Sequence, residues 1–251
     1  MRACRKGNDK SLMAHDHFCK EAILLAGGLG TRLQHLLKDV PKPMADINGQ
    51  PFLSILLQQL KNQGIRSVIL SVGYKHEAIQ NYFGREWNSM NIKYAIEHEP
   101  LGTGGALKLA LNDANESPVL AVNGDTFFDV NVSSLLQFHI QKKAALTLSL
   151  KPLNNFDRYG TVAIDSTGQI TGFKEKHFME SGLINGGVYM LNKSLFSGLS
   201  MPDKFSFEKD FLDQFFQQKP FYGFIQDGYF LDIGIPEDYA RAQHELARFK
   251  N

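Results

Sequence analysis

Ala22-Ile23-Leu24-Leu25-Ala26-Gly27-Gly28-Leu29-Gly30-Thr31-Arg32-Leu33 is the stretch that decides the fold of this chain. Its first five residues are apolar without a break, as a strand buried on both faces requires. The glycines that follow let successive backbone N–H groups converge on one point with no side chain in the way. A buried strand running into such a turn marks the carboxyl edge of an open α/β sheet, where these sheets bind ligands. Arg32 adds a planar donor fork matched to phosphate oxygens.

Working outward, strands and helices alternate. Pro51 opens a helix with Phe52, Leu53, Leu56, Leu57 and Leu60 on one face and Gly64 as its stop. A strand over Ser67–Val72 leads to a helix over His76–Phe83 that ends at Gly84. A strand over Ile92–Glu97 precedes a helix starting near Gly104 or Gly105, and a strand over Val119–Val122 runs into Gly124-Asp125 before a helix over Ser133–Lys142. This alternation predicts an α/β protein with a doubly wound, mostly parallel sheet. The second half reads differently. Leu146–Leu150, Gly160–Ile164, Gln169–Lys174, Leu183–Leu191, Phe221–Ile225 and Tyr229–Ile233 are predicted strands, with a short helix over Glu208–Gln217 and a last helix opening at Pro236. Here the sheet is expected to become mixed and to cover one side of the site.

Composition excludes several classes. Among 251 residues, 27 Lys and Arg oppose 26 Asp and Glu, for a formal charge of +1. A general nucleic-acid surface needs a concentrated basic excess, so phosphate binding here must be local. No apolar run approaches membrane-spanning length, so no membrane partner is expected. The two cysteines, Cys4 and Cys19, suit a reducing cytoplasmic location. Residues 1–20 are polar, lack the apolar core of a secretory signal and read as a flexible leader, with Met13 offering a second start. Residues 21–251 read as one domain. Cys4, His15, His17 and Cys19 match no ordinary zinc-finger spacing.

Two phosphate motifs compete for the glycine turn, and neither fits. A dinucleotide fingerprint needs a third glycine where Leu33 stands, and an acid about twenty residues on. A Walker A string does not occur. The discriminating companion is Pro41-Lys42-Pro43. Pro43 should hold Lys42 extended, so that its ammonium is a placed charge.

Together, Gly27–Leu33 and Pro41-Lys42-Pro43 closely resemble the signature of the sugar-1-phosphate nucleotidyltransferases. The resemblance continues through Glu99–Ala106, Asn123-Gly124-Asp125, Phe173-Lys174-Glu175-Lys176, Asn185-Gly186-Gly187 and Leu231-Asp232-Ile233-Gly234. It implies a Rossmann-like, GT-A-like nucleotidyltransferase fold that joins a nucleoside monophosphate from an NTP to a sugar 1-phosphate. By the same resemblance, Leu25, Ala26, Gly27, Gly28, Gly30 and Thr31 hold the nucleotide, while Arg32 and Lys42 grip the triphosphate. Asp125 and Asp232 hold Mg²⁺, and Arg32, Lys42 and Asp125 are the catalytic set. Tyr159, Gly160, Glu175, Lys176, Asn185 and Gly186 are implied to bind the sugar phosphate, with Lys174 competing in register with Lys176. No side-chain nucleophile is apparent and none is needed, because a sugar phosphate brings its own anionic oxygen.

Glu97, Gly102 and Thr103, with Glu99, fall where the family reads the base. A carboxylate accepts two adjacent N–H donors of guanine at once, whereas uracil and thymine offer one donor between two carbonyls. GTP is therefore the expected donor. Within the family the chain most resembles the guanylyltransferases acting on D-glycero-α-D-manno-heptose 1-phosphate, through Val40–Ala45, Leu70–Lys75, Gly124–Asp129, Phe156–Gly160 and Leu183–Gly187. Mannose 1-phosphate guanylyl transfer, or uridylyl or thymidylyl transfer to a hexose 1-phosphate, are the alternatives. A sugar-nucleotide-binding regulator without activity should lack one of Arg32, Lys42, Asp125, Lys176 or Asp232, and all are present. The sequence leaves a homo-oligomer open.

Overall fold

The computed structural model describes residues 18–28, 37 and 40–249. Gly30, Thr31, Arg32 and Leu33 lie outside the described residues, as do Cys4, Met13, His15 and His17.

Four strands form the parallel heart of the molecule: β1 (Glu21–Leu25), β2 (Ser67–Val72), β4 (Met90–Ile96) and β5 (Val119–Asn123), with the short β3 (Glu86–Trp87) at the edge beyond β4. β1 lies between β2 and β5, in register Leu24 to Leu70 on one side and Leu24 to Val122 on the other. The unbroken apolar run follows from this position, since both faces of β1 are covered. Ala22 and Leu24 point into one core and Ile23 into a second. The first core is closed by α1 (Phe52–Asn62), α2 (His76–Phe83), α4 (Val132–Gln141) and α6 (Pro236–Glu245), the second by α3 (Gly102–Leu111) and the turns after residue 200. Each fully buried Leu or Phe in these layers contributes roughly 1.5–3 kcal/mol relative to exposure. The doubly wound expectation is thus met.

The chain order of the sheet, β11-β7-β10-β5-β1-β2-β4-β3, shows where it becomes mixed. β10 (Met179–Leu191) runs antiparallel to both β5 and β7 (Leu146–Phe156), and β11 (Phe221–Ile225) closes that edge parallel to β7. β8 (Thr161–Ile164) and β9 (Ile170–Lys174) form a hairpin against β10. β7 and β10 are longer than the sequence predicts because they continue past the core as a two-stranded arm. Polar residues such as Asn154 and Ser181 pair there with no apolar signal to announce them. The strand predicted at Tyr229–Ile233 does not join this sheet: β12 (Phe230–Asp232) pairs with β6 (Thr126–Phe128) in a separate ribbon. The helix predicted at Glu208–Gln217 is a π turn over Phe207–Leu212 followed by the short α5 (Asp213–Phe215). Phe207 and Phe211 stack there at 5.5 Å, and Phe211 is fully buried, so aromatic packing sets the winding of that turn.

At the start of the described chain Cys19 is buried, and the Lys20 carbonyl accepts the N–H groups of Arg66 and Ser67 at 2.8 and 3.0 Å. No helix among the described residues is long and apolar enough to cross a membrane.

Candidate active site

The carboxyl ends of β1, β2, β4 and β5 open into one cleft of about 770 Å³, at the switch point between β1 and β5. Gly27 and Gly28 leave β1 on its floor. Gly124 leaves β5 beside them, and its N–H bonds the Leu25 carbonyl at 2.9 Å. A Cβ on Gly124 would stand 2.4 Å from that oxygen, so only glycine lets the two strand ends approach this closely. Leu25 lines the cleft, while Ala26 is buried behind it with its N–H on the Ser71 carbonyl at 2.7 Å.

Lys42 reaches the cleft from a 3₁₀ turn over Lys42–Met44. It is not extended, as its place before Pro43 would predict. Pro43 is buried, and the Pro41 and Lys42 carbonyls accept the N–H groups of Met44 and Ala45, which holds the tighter turn. The Lys42 ammonium lies 2.7 Å from Asp125 Oδ2; its side chain is 12% exposed and that of Asp125 40%. Asp232 joins them because β12 pairs with β6 so that it faces Thr126, while the Ile233 N–H bonds the Asp125 carbonyl at 3.0 Å. Burial raises the pKa of Asp232, the neighbouring Asp125 carboxylate raises it further, and Lys42 and the Gly234 N–H oppose the rise. Two carboxylates are thus brought near each other, offset chiefly by the Lys42 ammonium and more weakly by the Arg158 guanidinium. Among the described residues no third acid, His or Cys completes a full metal cage. A pair of oxygen donors suits a hard cation that takes its remaining ligands from substrate phosphates and water.

The far wall belongs to the loop after β4. Burial raises the pKa of Glu97, while the Leu101 N–H, donating to Oε2 at 3.1 Å, opposes the rise. Its Oε1 lies over Gly27, 2.2 Å from where a Cβ would stand, so that glycine makes room for the carboxylate. Gly102, at φ +71°, lines the same wall and passes 2.6 Å from the Phe205 carbonyl when given a Cβ. Gly104 and Gly105 donate to that carbonyl at 3.0 and 3.4 Å. The glycines of this segment therefore admit the chain around residue 205 against the start of α3. Thr103 also lines the cleft, but its hydroxyl donates to Glu208 and accepts the Phe207 N–H, both at 2.9 Å.

The residues implied for the sugar phosphate form a second group, outside the cleft lining. Tyr159 stacks edge-on to Phe230 at 5.8 Å, and burial, then the Asp232 carboxylate, pushes its phenol up to about 12. Gly160 passes close to the Lys174 carbonyl. Asn185 spends its amide inside the protein, donating to the buried Tyr189 hydroxyl at 2.9 Å and accepting the Gly187 N–H at 3.1 Å. Gly186 is buried against the Phe128 ring. Lys174, Glu175 and Lys176 are all exposed.

Sequence reading missed Tyr74, His76 and His98, which line the cleft. Tyr74 and His76 follow β2 as Gly27 follows β1, so the rule that strand ends line the site could have found them. It also missed Arg158 and Asp238, whose ion pair is long-range and has no local motif.

The chain belongs to the nucleotidyl transferase family, which matches residues 21–248. It is 52% identical over 229 residues to the D-glycero-alpha-D-manno-heptose 1-phosphate guanylyltransferase of Aneurinibacillus thermoaerophilus, covering 91% of this chain and 99% of that protein. The enzyme of the same name from Campylobacter jejuni is 50% identical over 220 residues, covering 87% of this chain and 96% of its own. HddC from Yersinia pseudotuberculosis, solved in complex with GMP-PN, superposes with a TM-score of 0.81 at 39% identity, over 92% of this chain and all of that one.

Proposed function

We propose that this protein transfers GMP from GTP to D-glycero-α-D-manno-heptose 1-phosphate, giving GDP-heptose and pyrophosphate. The observation that carries the reading is the convergence of Lys42, Asp125 and Asp232 beside the turn that ends β1. The GTP and heptose assignments draw on the two relatives at 52% and 50% identity and on the GMP-PN complex of HddC.

A phosphate oxygen of the sugar 1-phosphate attacks the α-phosphorus of GTP. A new P–O bond forms as the bond to the β-phosphate bridging oxygen breaks, and pyrophosphate leaves with that electron pair. The nucleophile needs no general base, since the second pKa of a phosphate monoester is about 6. The obstacle is repulsion between two anions. Lys42 offsets it with a charge held at the strand end, available before the transition state forms, and Arg32 is assigned the same task. Gly27 and Gly28 bring backbone to the phosphates, and Glu97 accepts the two adjacent N–H groups of guanine. Asp125 and Asp232 would hold Mg²⁺, which when bound neutralises phosphate charge. Tyr159, Gly160, Glu175, Lys176, Asn185 and Gly186 are assigned to the acceptor side. The two cysteines and the nucleotide substrate suit the reducing cytoplasm.

The test is a pyrophosphate-release screen of four NTPs against heptose, mannose and glucose 1-phosphates with Mg²⁺. GTP with the heptose 1-phosphate should give the highest kcat/KM. A preference for UTP or dTTP would remove the guanine argument, and no release with any sugar phosphate would end the transferase reading.

A further inference from the structure

Asp238, in the first turn of α6, is 5% exposed, and guanidinium groups take both its oxygens. Arg158 Nη1 lies 2.6 Å from Oδ2 and Arg241 Nη1 2.9 Å from Oδ1. Arg241 in turn grips Glu245, Nε to Oε1 at 3.0 Å and Nη2 to Oε2 at 3.3 Å. Charge therefore alternates along Glu245, Arg241, Asp238 and Arg158, and the row ends at Arg158. Anchoring α6 on itself needs only Arg241, which already pairs Asp238 with the last turn of the same helix. Arg158 comes from elsewhere, the loop between β7 and β8, and it is 39% exposed.

That outer end returns to the site. The Arg158 guanidinium lies 5.5 Å from the Tyr159 ring centre and within Coulombic reach of Asp232. One Nη1 N–H is committed to Asp238, and among the described residues no other protein oxygen takes the remaining N–H groups. Lys42 is the sole cation among the described residues lining the cleft, while the reaction there brings a triphosphate and a dianionic acceptor. Lys174 and Lys176 are exposed, so a phosphate would have to order them first. Arg158 is already ordered, and its fork can give a phosphate two parallel hydrogen bonds.

We propose that Arg158 binds the phosphate of the sugar 1-phosphate on the Asp232 side of the site, and that Asp238 is the residue that positions it. The assignment rests on the transferase reading above. It is tested by varying GTP and sugar 1-phosphate separately in steady-state kinetics, with calorimetric titration of the sugar 1-phosphate and a melting curve for each variant. Arg158→Gln should raise KM for the sugar 1-phosphate about tenfold or more and leave KM for GTP within about twofold, as loss of one charged hydrogen-bonding partner implies. Arg158→Lys should recover only part of the loss. Asp238→Asn should shift the sugar KM in the same direction by less. An Arg158→Gln protein whose sugar and GTP constants move together, or not at all, overturns the assignment, and a lowered melting temperature without the KM split leaves the network as an anchor for α6 alone. An active wild type with an unaffected Arg158→Gln sinks only this inference; a wild type inactive on every sugar phosphate sinks the transferase reading instead.

Discussion

β1, β2, β4 and β5 run parallel and meet the cleft with backbone at their ends, whereas β6 to β12 run mostly against their neighbours and bring side chains from distant loops. On the parallel side, position follows from topology: glycine turns and strand ends converge at the switch point whatever the neighbouring side chains. On the antiparallel side, Asp232 faces the site only because β12 pairs with β6, and the Arg158 guanidinium is held by an ion pair to Asp238 of α6. The first arrangement suits a nucleotide, whose phosphates present the same geometry in every NTP. The second can be altered loop by loop, which suits selection among acceptor sugars.

Asp125 stands where the two halves touch, and its removal should produce the largest loss. Asp125→Asn leaves Lys42 without its carboxylate partner and the proposed Mg²⁺ without a ligand. Pyrophosphate release should fall about 10³-fold or more, because several kcal/mol of charge stabilisation are at stake. EDTA should reproduce the loss in the wild type, and added Mn²⁺ or Mg²⁺ should reverse it. Activity that survives both changes would separate Asp125 from the chemistry.

Lys42→Gln should follow, with kcat/KM down about 10²- to 10³-fold, the usual cost of one preorganised charge donor. A loss shared equally between reactions with different sugar phosphates would place Lys42 with the nucleotide half. A loss that depends on the sugar would blur the division between the halves.

The two halves also differed in how much of them could be read beforehand. The run Ala22–Ala26, the helix opened by Pro51 and the strand ending at Gly124-Asp125 are local signals, and each of these elements lies where its residues predict. β12 misled because pairing partners are chosen across the whole chain: Phe230–Asp232 has the pattern of a sheet strand but finds β6. Gly104 and Gly105 read only as the start of a helix, yet a Cβ on Gly104 would strike the Phe205 ring at 2.2 Å, so packing against a distant segment requires the glycine. Asp238 looks from sequence like an ordinary acid at a helix start. Arg241, three residues on, is a readable neighbour on the same helix, but nothing nearby reveals the burial of Asp238 or its partner Arg158.

Two glycine substitutions sharpen the topological argument. Gly124→Ala drives a methyl to within 2.4 Å of a backbone carbonyl and should cost about 1–3 kcal/mol in urea denaturation, with loss of activity. Gly28→Ala meets nothing within 4 Å, so its effect on stability should be small. Equal costs would mean that the β1–β5 junction is less tight than its geometry implies. On the base side, Glu97→Gln should lower the preference for GTP over UTP by about 10- to 100-fold, the worth of a charged hydrogen bond. Since burial raises the pKa of Glu97, GTP affinity should also weaken as pH falls through that raised value, and the glutamine variant should lack this dependence.

The smallest effect concerns how the halves are joined. His139 of α4 is 2% exposed, with Nδ1 2.9 Å from the Thr147 hydroxyl of β7 and Nε2 3.2 Å from Asn192 Oδ1, just past β10. Asn192 donates its own N–H to the Ala144 carbonyl at 3.0 Å, so Oδ1 must accept and Nε2 must carry the proton. Nδ1 then pairs with the Thr147 hydroxyl, which can donate to it in the neutral ring. Burial accordingly lowers the pKa of His139 below its ordinary 6.5, against the opposing pull of Asn192. A group with a lowered folded pKa that must stay neutral stabilises the protein fully above the unfolded value, and that contribution is lost as pH falls below it. Urea denaturation at steps from pH 7.5 to 5 should therefore show a wild-type decline that is shallower in His139→Gln, which is already weaker at neutral pH. Parallel slopes would mean that protonation of this ring does not load the seam, and that the antiparallel half is held to α4 by its apolar contacts alone.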